Sequence, residues 1–181
     1  VLSGTLTQNT DALGVATFND LSINLIGSKN LTATSGVLTP AVSNAFLITS
    51  GTPASINFSQ QPTNEVAGVA IAPAVTVTVL DGFGNPINGQ AVTVALTTGT
   101  GVLSGTLTQN TDASGVATFA DLSINLIGSK NLTASAGVLN VVSSAFTITS
   151  AAPASLAYIQ QPTDETAGVA IAPAVTLSVT D

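Results

Sequence analysis

The sequence predicts an all-β protein built from tandem antiparallel β-sandwiches. Three observations predict it. Apolar residues alternate with polar ones at period two, turn residues interrupt that alternation at short regular spacing, and a unit of about 100 residues returns within the chain.

The repeat organises the rest. Val1-Leu2-Ser3-Gly4-Thr5-Leu6-Thr7-Gln8-Asn9-Thr10-Asp11 returns as Val102 to Asp112, an offset of 101 residues. The offset holds to Leu38 and Leu139, after which a one-residue deletion resets it to 100. Pro53-Ala54-Ser55 then matches Pro153-Ala154-Ser155, and Ala67 to Thr76 matches Ala167 to Thr176 without a change. Of 80 aligned positions 61 are identical, so one structure is repeated rather than two related ones. Pro53 and Pro153 each follow a stretch of Ser, Thr, Gly and Ala, the composition of a linker. The expected organisation is the C-terminal part of one unit over residues 1–52, a complete unit over 53–152, and the N-terminal part of the next over 153–181. Both ends fall inside a unit, as expected of a window cut from a longer array.

Within the complete unit, Val75, Val77 and Val79 alternate with Thr76, Thr78 and Leu80. Val92, Val94 and Leu96 alternate with Ala91, Thr93 and Ala95; Leu122, Ile124 and Leu126 with Ser123, Asn125 and Ile127; Phe146 and Ile148 with Ala145, Thr147 and Thr149. Successive side chains of a strand point to opposite faces, so each pattern puts one face in a core and the other in water. The expected core is Val75, Val77, Val79, Val92, Val94, Leu122, Ile124, Phe146 and Ile148. No stretch holds a helical apolar pattern over three turns.

Turn signals separate these strands. Asp81-Gly82-Phe83-Gly84-Asn85-Pro86 is one, where Gly84 and Gly89 supply backbone conformations that a Cβ penalises and Pro86 pre-sets φ. Asn88-Gly89 is a candidate type I′ turn. Thr111-Asp112-Ala113-Ser114-Gly115 suits an Asx turn closing on a glycine of positive φ. Ile127-Gly128-Ser129 and Ala136-Gly137 mark two more. About seven short strands per 100-residue repeat, punctuated in this way, fit a sandwich of the immunoglobulin type.

These residues carry a resemblance. Asp81-x-x-Gly84-Asn85-Pro86-Ile87-x-Gly89-x-x-Val92, then Thr111-Asp112-x-x-Gly115-Val116-Ala117, then Gly128 and Leu132-Thr133-Ala134, resemble the bacterial immunoglobulin-like repeats of the invasin and intimin class. The resemblance covers the whole of 53–152 and the matching parts of both flanks. It implies disulfide-free sandwiches displayed in tandem on a bacterial surface, with receptor binding confined to a terminal tip domain, and nothing here resembles such a tip.

Composition narrows function. The net charge is −7, from nine acids against Lys29 and Lys130 as the only bases, with no Arg or His. Phosphate binding needs clustered cations, so neither nucleic acid nor an anionic membrane surface is expected as a partner. Only 6% of residues are charged, against about 25% in ordinary domains. Thr, Ser, Asn and Gln make the surface polar instead, and such a surface repels a neighbouring copy less. Cysteine is absent, so stability rests on apolar burial, and redox compartment is not legible. The first residues show neither the basic nor the apolar region of a signal peptide, and no run of 18 apolar residues occurs.

Little chemistry remains. Without His or Cys there is no Ser-His-Asp triad, no thiol nucleophile and no His-ligated metal. The acids of the complete unit are Glu65, Asp81, Asp112 and Asp121. They lie in turns with no evident cleft for a glycosidase pair. Calcium is the one cofactor to weigh, since hard cations take oxygen ligands, and Asp81, Asp112 and Asp121 could meet at a domain end. Against it, no D-x-D-x-D loop occurs, and capping of turns accounts for the acids. Gly99-x-Gly101 precedes a strand, so it lacks the helix end a phosphate loop uses. The sequons at Asn30, Asn57 and Asn131 fit chance in an Asn- and Thr-rich chain. Lys130 beside Asn131 reads as a lone exposed lysine.

Two functions stand. In the first, the chain is a structural module of an extracellular or cell-surface fibre, stalk or adhesin. It acts as a rod-like spacer whose partners are neighbouring repeats and other copies of itself. In the second, the sandwich loops bind a glycan or partner protein. Glycan sites use exposed aromatics, and of Phe58, Phe83, Phe119 and Phe146 only Phe83 falls off the alternating core positions, which favours the first. No catalytic residue is expected.

Overall fold

The computed structural model describes residues 1–181 and contains strands, turns and bends but no helix. The strand Val75–Asp81 lies at the centre of one sheet. It pairs antiparallel with Pro53–Gln60 on one side and Val116–Phe119 on the other. The second sheet has six strands. Its main order is Thr108–Asn110, Ala91–Thr98, Gly128–Ala136, Phe146–Thr149 and Glu65–Val66, with Leu139–Val142 folded back on Gly128–Ala136.

Every pairing is antiparallel except Phe146–Thr149 with Glu65–Val66. That exception arises because the first strand changes sheets. Pro62 has no N–H to donate and ends the first run. Gln61 Oε1 then accepts the Ser144 N–H at 2.9 Å and Asn64 Oδ1 accepts the Thr147 N–H at 2.7 Å, which carries the chain to the opposite layer. Two facing sheets with a strand shared between them form an immunoglobulin-like sandwich.

Seventeen buried apolar residues fill the space between the sheets. All nine residues of the expected core are among them, joined by Ile56, Ile71, Ile87, Ala117, Phe119, Leu132, Ala134 and Ala136. Along Val75–Asp81 buried and half-buried positions alternate without a break. Every buried residue of the chain lies between Ile56 and Ile148.

Three expectations need correction. The alternation over 122–127 yields a strand only at Ser123–Ile124, paired with Leu103–Ser104. Beyond it the chain leaves the sheet. Asn125 Oδ1 accepts the Val102 N–H at 2.7 Å, and Leu126 and Ile127 stay exposed. Short pieces such as this one raise the strand count above about seven. The Asn88-Gly89 turn has positive φ at Gly89 but not at Asn88, which excludes type I′. Lys130 is buried, for reasons given below.

The Asx turn forms as expected. Asp112 Oδ1 accepts the N–H of Ser114 and of Val116 at 2.8 and 3.0 Å, and Gly115 has φ +75°. A Cβ on Gly115 would sit 2.7 Å from the Val79 carbonyl oxygen, so the turn packs against the central strand only because that position is bare.

Candidate functional site

The most heavily bonded polar group of the chain lies where one unit meets the next. Asp81 ends the central strand and is only 5% exposed. Its Oδ1 accepts the Phe83 and Asn85 N–H groups, each at 2.9 Å, closing the Asp81-to-Pro86 turn on itself. Its Oδ2 accepts the N–H of Gly51, in the linker, at 3.0 Å, and the Asn85 Nδ2 at 2.9 Å.

Asn85, also 5% exposed, carries the contact across the junction. Its Nδ2 donates to the Asn24 carbonyl at 2.7 Å, and its Oδ1 accepts the Ile26 N–H over a longer 3.4 Å. One carboxylate therefore fixes the linker and orients the amide that grips the preceding unit. The Gly51 N–H, reinforced by the Asn85 side chain, holds the Asp81 carboxyl well below the ordinary carboxylate range, because each donor favours the charged form. The linker contact recurs one unit later, where the Ala151 N–H donates to Asp181 Oδ2 at 2.8 Å.

The loop that receives Asn85 is shaped by the unit's only cation. Lys29 Nζ donates to the Ile26 carbonyl at 2.9 Å. In the complete unit Lys130 Nζ donates to the Ile127 carbonyl at 3.0 Å and to the Thr100 carbonyl at 2.7 Å. Lys130 is 1% exposed, which corrects its reading as an exposed lysine. Its stem passes under Gly99, where a Cβ would lie 2.7 Å from Lys130 Cδ. A Cβ there would also lie 2.5 Å from the Ser129 carbonyl oxygen, so Gly99 is bare to admit both the neighbouring strand and the lysine stem. The sequence signal was there in outline: the only two bases of the chain stand 101 residues apart, in register with the repeat.

The structure does not gather Asp81, Asp112 and Asp121, and no three acidic residues lie close enough together to hold a metal ion. Each serves its own turn. Asp121 accepts the Thr106 N–H on both oxygens at 3.0 Å and the Thr106 hydroxyl at 2.8 Å. Those bonds, the backbone one foremost, lower its pKa. Asp20 is held by Thr5 in the same way, with the hydroxyl foremost, and its pKa is lowered too. Glu65 Oε1 accepts the N–H of its neighbour Val66 at 3.0 Å. Asn131, one of the two sequon asparagines of the complete unit, spends its Nδ2 on the Ser143 carbonyl at 2.9 Å. No buried side-chain polar atom lacks a partner.

No family model matches the chain, and no curated protein does. Among solved structures it is similar to the D0–D1 domains of intimin, at 24% identity and a TM-score of 0.42, over 71% of this chain and 65% of that one. It is similar also to the D00–D0 domains of intimin, at 17% identity and a TM-score of 0.43, over 82% and 77% of the two chains. A third similar structure is surface layer protein SbsC, domains 4–9, at 17% identity and a TM-score of 0.42, over 92% of this chain and 25% of that one. The chain thus spans just under two thirds of the first of these structures. The immunoglobulin-like class rests on this chain's own sheets and their connections.

Proposed function

We propose that the chain is a structural module of an extracellular or bacterial cell-surface fibre, stalk or adhesin, acting as a rod-like spacer through the packing of successive units. One observation carries this reading. The most heavily bonded polar group in the chain, Asp81 with Asn85, is spent on holding one unit against the next, and its linker half recurs at Asp181. A spacer needs joints that hold an angle. A tether without such joints would behave as beads on a flexible string. The partners of the module are its neighbouring units and other copies of the same chain.

A second reading, glycan or protein binding through the loops, has one residue in its favour, the exposed Phe83. Phe83 is the only aromatic of its turn, and the buried polar groups flanking it, Asp81 and Asn85, spend their hydrogen bonds within the turn and at the junction.

Small-angle X-ray scattering of the full chain tests the spacer. A sandwich is about 40 Å long, from strands of about six residues plus their loops. A rod gives a maximum dimension that grows by about that length per unit and a single narrow cross-section. A compact or broadly flexible profile would overturn the reading.

A further inference from the structure

The junction seen at Asn24 and Ile26 has an open counterpart one unit along. Asn125 and Ile127 stand 101 residues after Asn24 and Ile26 in the same local sequence, Leu-Ser-Ile-Asn-Leu-Ile-Gly-Ser-Lys-Asn. The pairings on either side are the same in both copies. Leu2 pairs with Ile23 as Leu103 pairs with Ile124, and Gly27 pairs with Ile48 as Gly128 pairs with Ile148. The lysine strut is the same as well, Lys29 to the Ile26 carbonyl and Lys130 to the Ile127 carbonyl. The difference is what lies on top. Asn24, Ile26 and Gly27 are half-buried beneath the Asn85 turn, whereas Asn125, Ile127 and Gly128 are exposed, Ile127 at 59%.

From this pair we infer that the Asn125–Gly128 loop is a docking surface. Its occupant is an Asp-Gly-x-Gly-Asn-Pro turn from a further unit of the same kind, seated as the Asp81-to-Pro86 turn is seated on Asn24 and Ile26. The chemistry that recognises it is a primary amide offered to a carbonyl and an N–H two residues apart. The amide is pre-oriented by a carboxylate that also holds the linker. Lys130 keeps the loop in the receiving shape from beneath, tying the Ile127 carbonyl down and leaving the Asn125 carbonyl and the Ile127 N–H, on the preceding peptides, to the incoming turn. The carboxylate that would orient the incoming amide is in place too. Asp181 already holds the Ala151 N–H, as Asp81 holds that of Gly51.

The inference rests on the spacer reading, and amide hydrogen exchange separates the two. In the full chain the Ile26 amide exchanges slowly, and Asn85→Ala speeds it by about tenfold or more, since Asn85 Oδ1 is its hydrogen-bond acceptor. A second chain carries a further copy of residues 82–101 after Asp181. In it the Ile127 amide slows by a similar factor, and it does not slow when the added copy has Ala at the position matching Asn85. The extended chain alters none of the 181 residues, so this arm does not depend on a variant folding. A slow Ile26 amide together with an Ile127 amide unmoved by the extension overturns the docking surface and leaves the spacer standing. An Ile26 amide that is already fast in the unmodified chain overturns both.

Discussion

Residues 1–52 and the matching part of the complete unit have nearly the same sequence and share the strand pairings internal to that stretch, yet they differ in burial at almost every apolar position, and the counterparts of Thr108–Asn110 and Val116–Phe119 form no strand. Phe119 is fully buried and its counterpart Phe18 is 42% exposed; Phe146 is 3% exposed and Phe46 is 37% exposed. Leu2, Leu21, Ile23, Leu31, Phe46 and Ile48 line an open apolar groove. Their counterparts Leu122, Ile124, Leu132, Phe146 and Ile148 form the closed core, with Leu103 packed against it. What closes it is the first half of the unit, above all Val75, Val77 and Val79 on the central strand. Local sequence thus sets turn geometry and the pairings within the segment, while burial, and the strands that pair with the first half of the unit, come only when both sheets are present.

The most direct way to break this comparison is to truncate the same side chain in both copies. Phe119→Ala removes a ring from the closed core and is expected to cost about 3–5 kcal/mol. Phe18→Ala removes a half-exposed ring and is expected to cost less than about 1 kcal/mol. Urea denaturation of the full chain reads both as shifts in the midpoint of the cooperative transition. Equal shifts would mean that residues 1–52 share a core with the complete unit, and the contrast would fall.

The lysines make the next test. Lys130→Met keeps the apolar stem but leaves the Thr100 and Ile127 carbonyls without their donor, at an expected cost of about 1–3 kcal/mol. Lys29→Met, in the half-exposed copy, is expected to change the same transition by less than about 0.5 kcal/mol. Equal shifts in the two melting curves would show that burial of the lysine does not matter to the strut.

The contrast between the copies also explains what could be read ahead of the structure. Period two marks Val75, Val77, Val79, Val92 and Val94 because those strands run straight across the core with one face to each side. It over-extends the strand at Leu122 because Leu126 continues the alternation after the backbone has turned away from the sheet. The turns at Asp112 and Gly84 are legible because side chain and backbone act within a few residues. Lys130 is misread because its partners, Thr100 and Ile127, are backbone carbonyls, which carry no sequence signal. For the same reason Asn85 reads as turn punctuation alone. Its side chain reaches the backbone carbonyl of Asn24, a residue 61 positions away in sequence and in the preceding unit.

Acid brings out a smaller difference. Asp121 and Asp20 are clamped alike by Thr106 and Thr5, and both carboxyls are lowered in the folded chain. An unfolded aspartate titrates near 3.9, so below about pH 5 the unfolded chain takes up more protons than the folded one. Stability from these groups is therefore complete above that range and is lost as pH falls through it toward the folded values. Asp121→Asn is expected to flatten the acid limb of the melting temperature against pH. Asp20→Asn, in the copy without a closed core, leaves that limb unchanged. An unaltered limb in Asp121→Asn would show that the clamp is not coupled to folding of the unit.

The smallest expected effect is that of calcium. Asp81, Asp112 and Asp121 are the residues the sequence offers for binding it, and the fold puts them in three separate turns. Both oxygens of Asp81 and of Asp121 already accept N–H groups, and Oδ1 of Asp112 accepts two. A cation would have to displace those donors, and in doing so would open the Gly51 contact at the junction or the Thr106 clamp. Calcium prefers six to eight oxygens, and one turn carboxylate supplies two at most. The expected melting temperature is therefore the same in millimolar calcium and in excess chelator. A site held at about one hundred times its dissociation constant would instead add about 2.7 kcal/mol, a rise of roughly ten degrees or more for a domain of this size. A rise of that order, abolished by Asp81→Asn and not by Asp112→Asn, would place a metal at the junction and make the joint between units responsive to calcium.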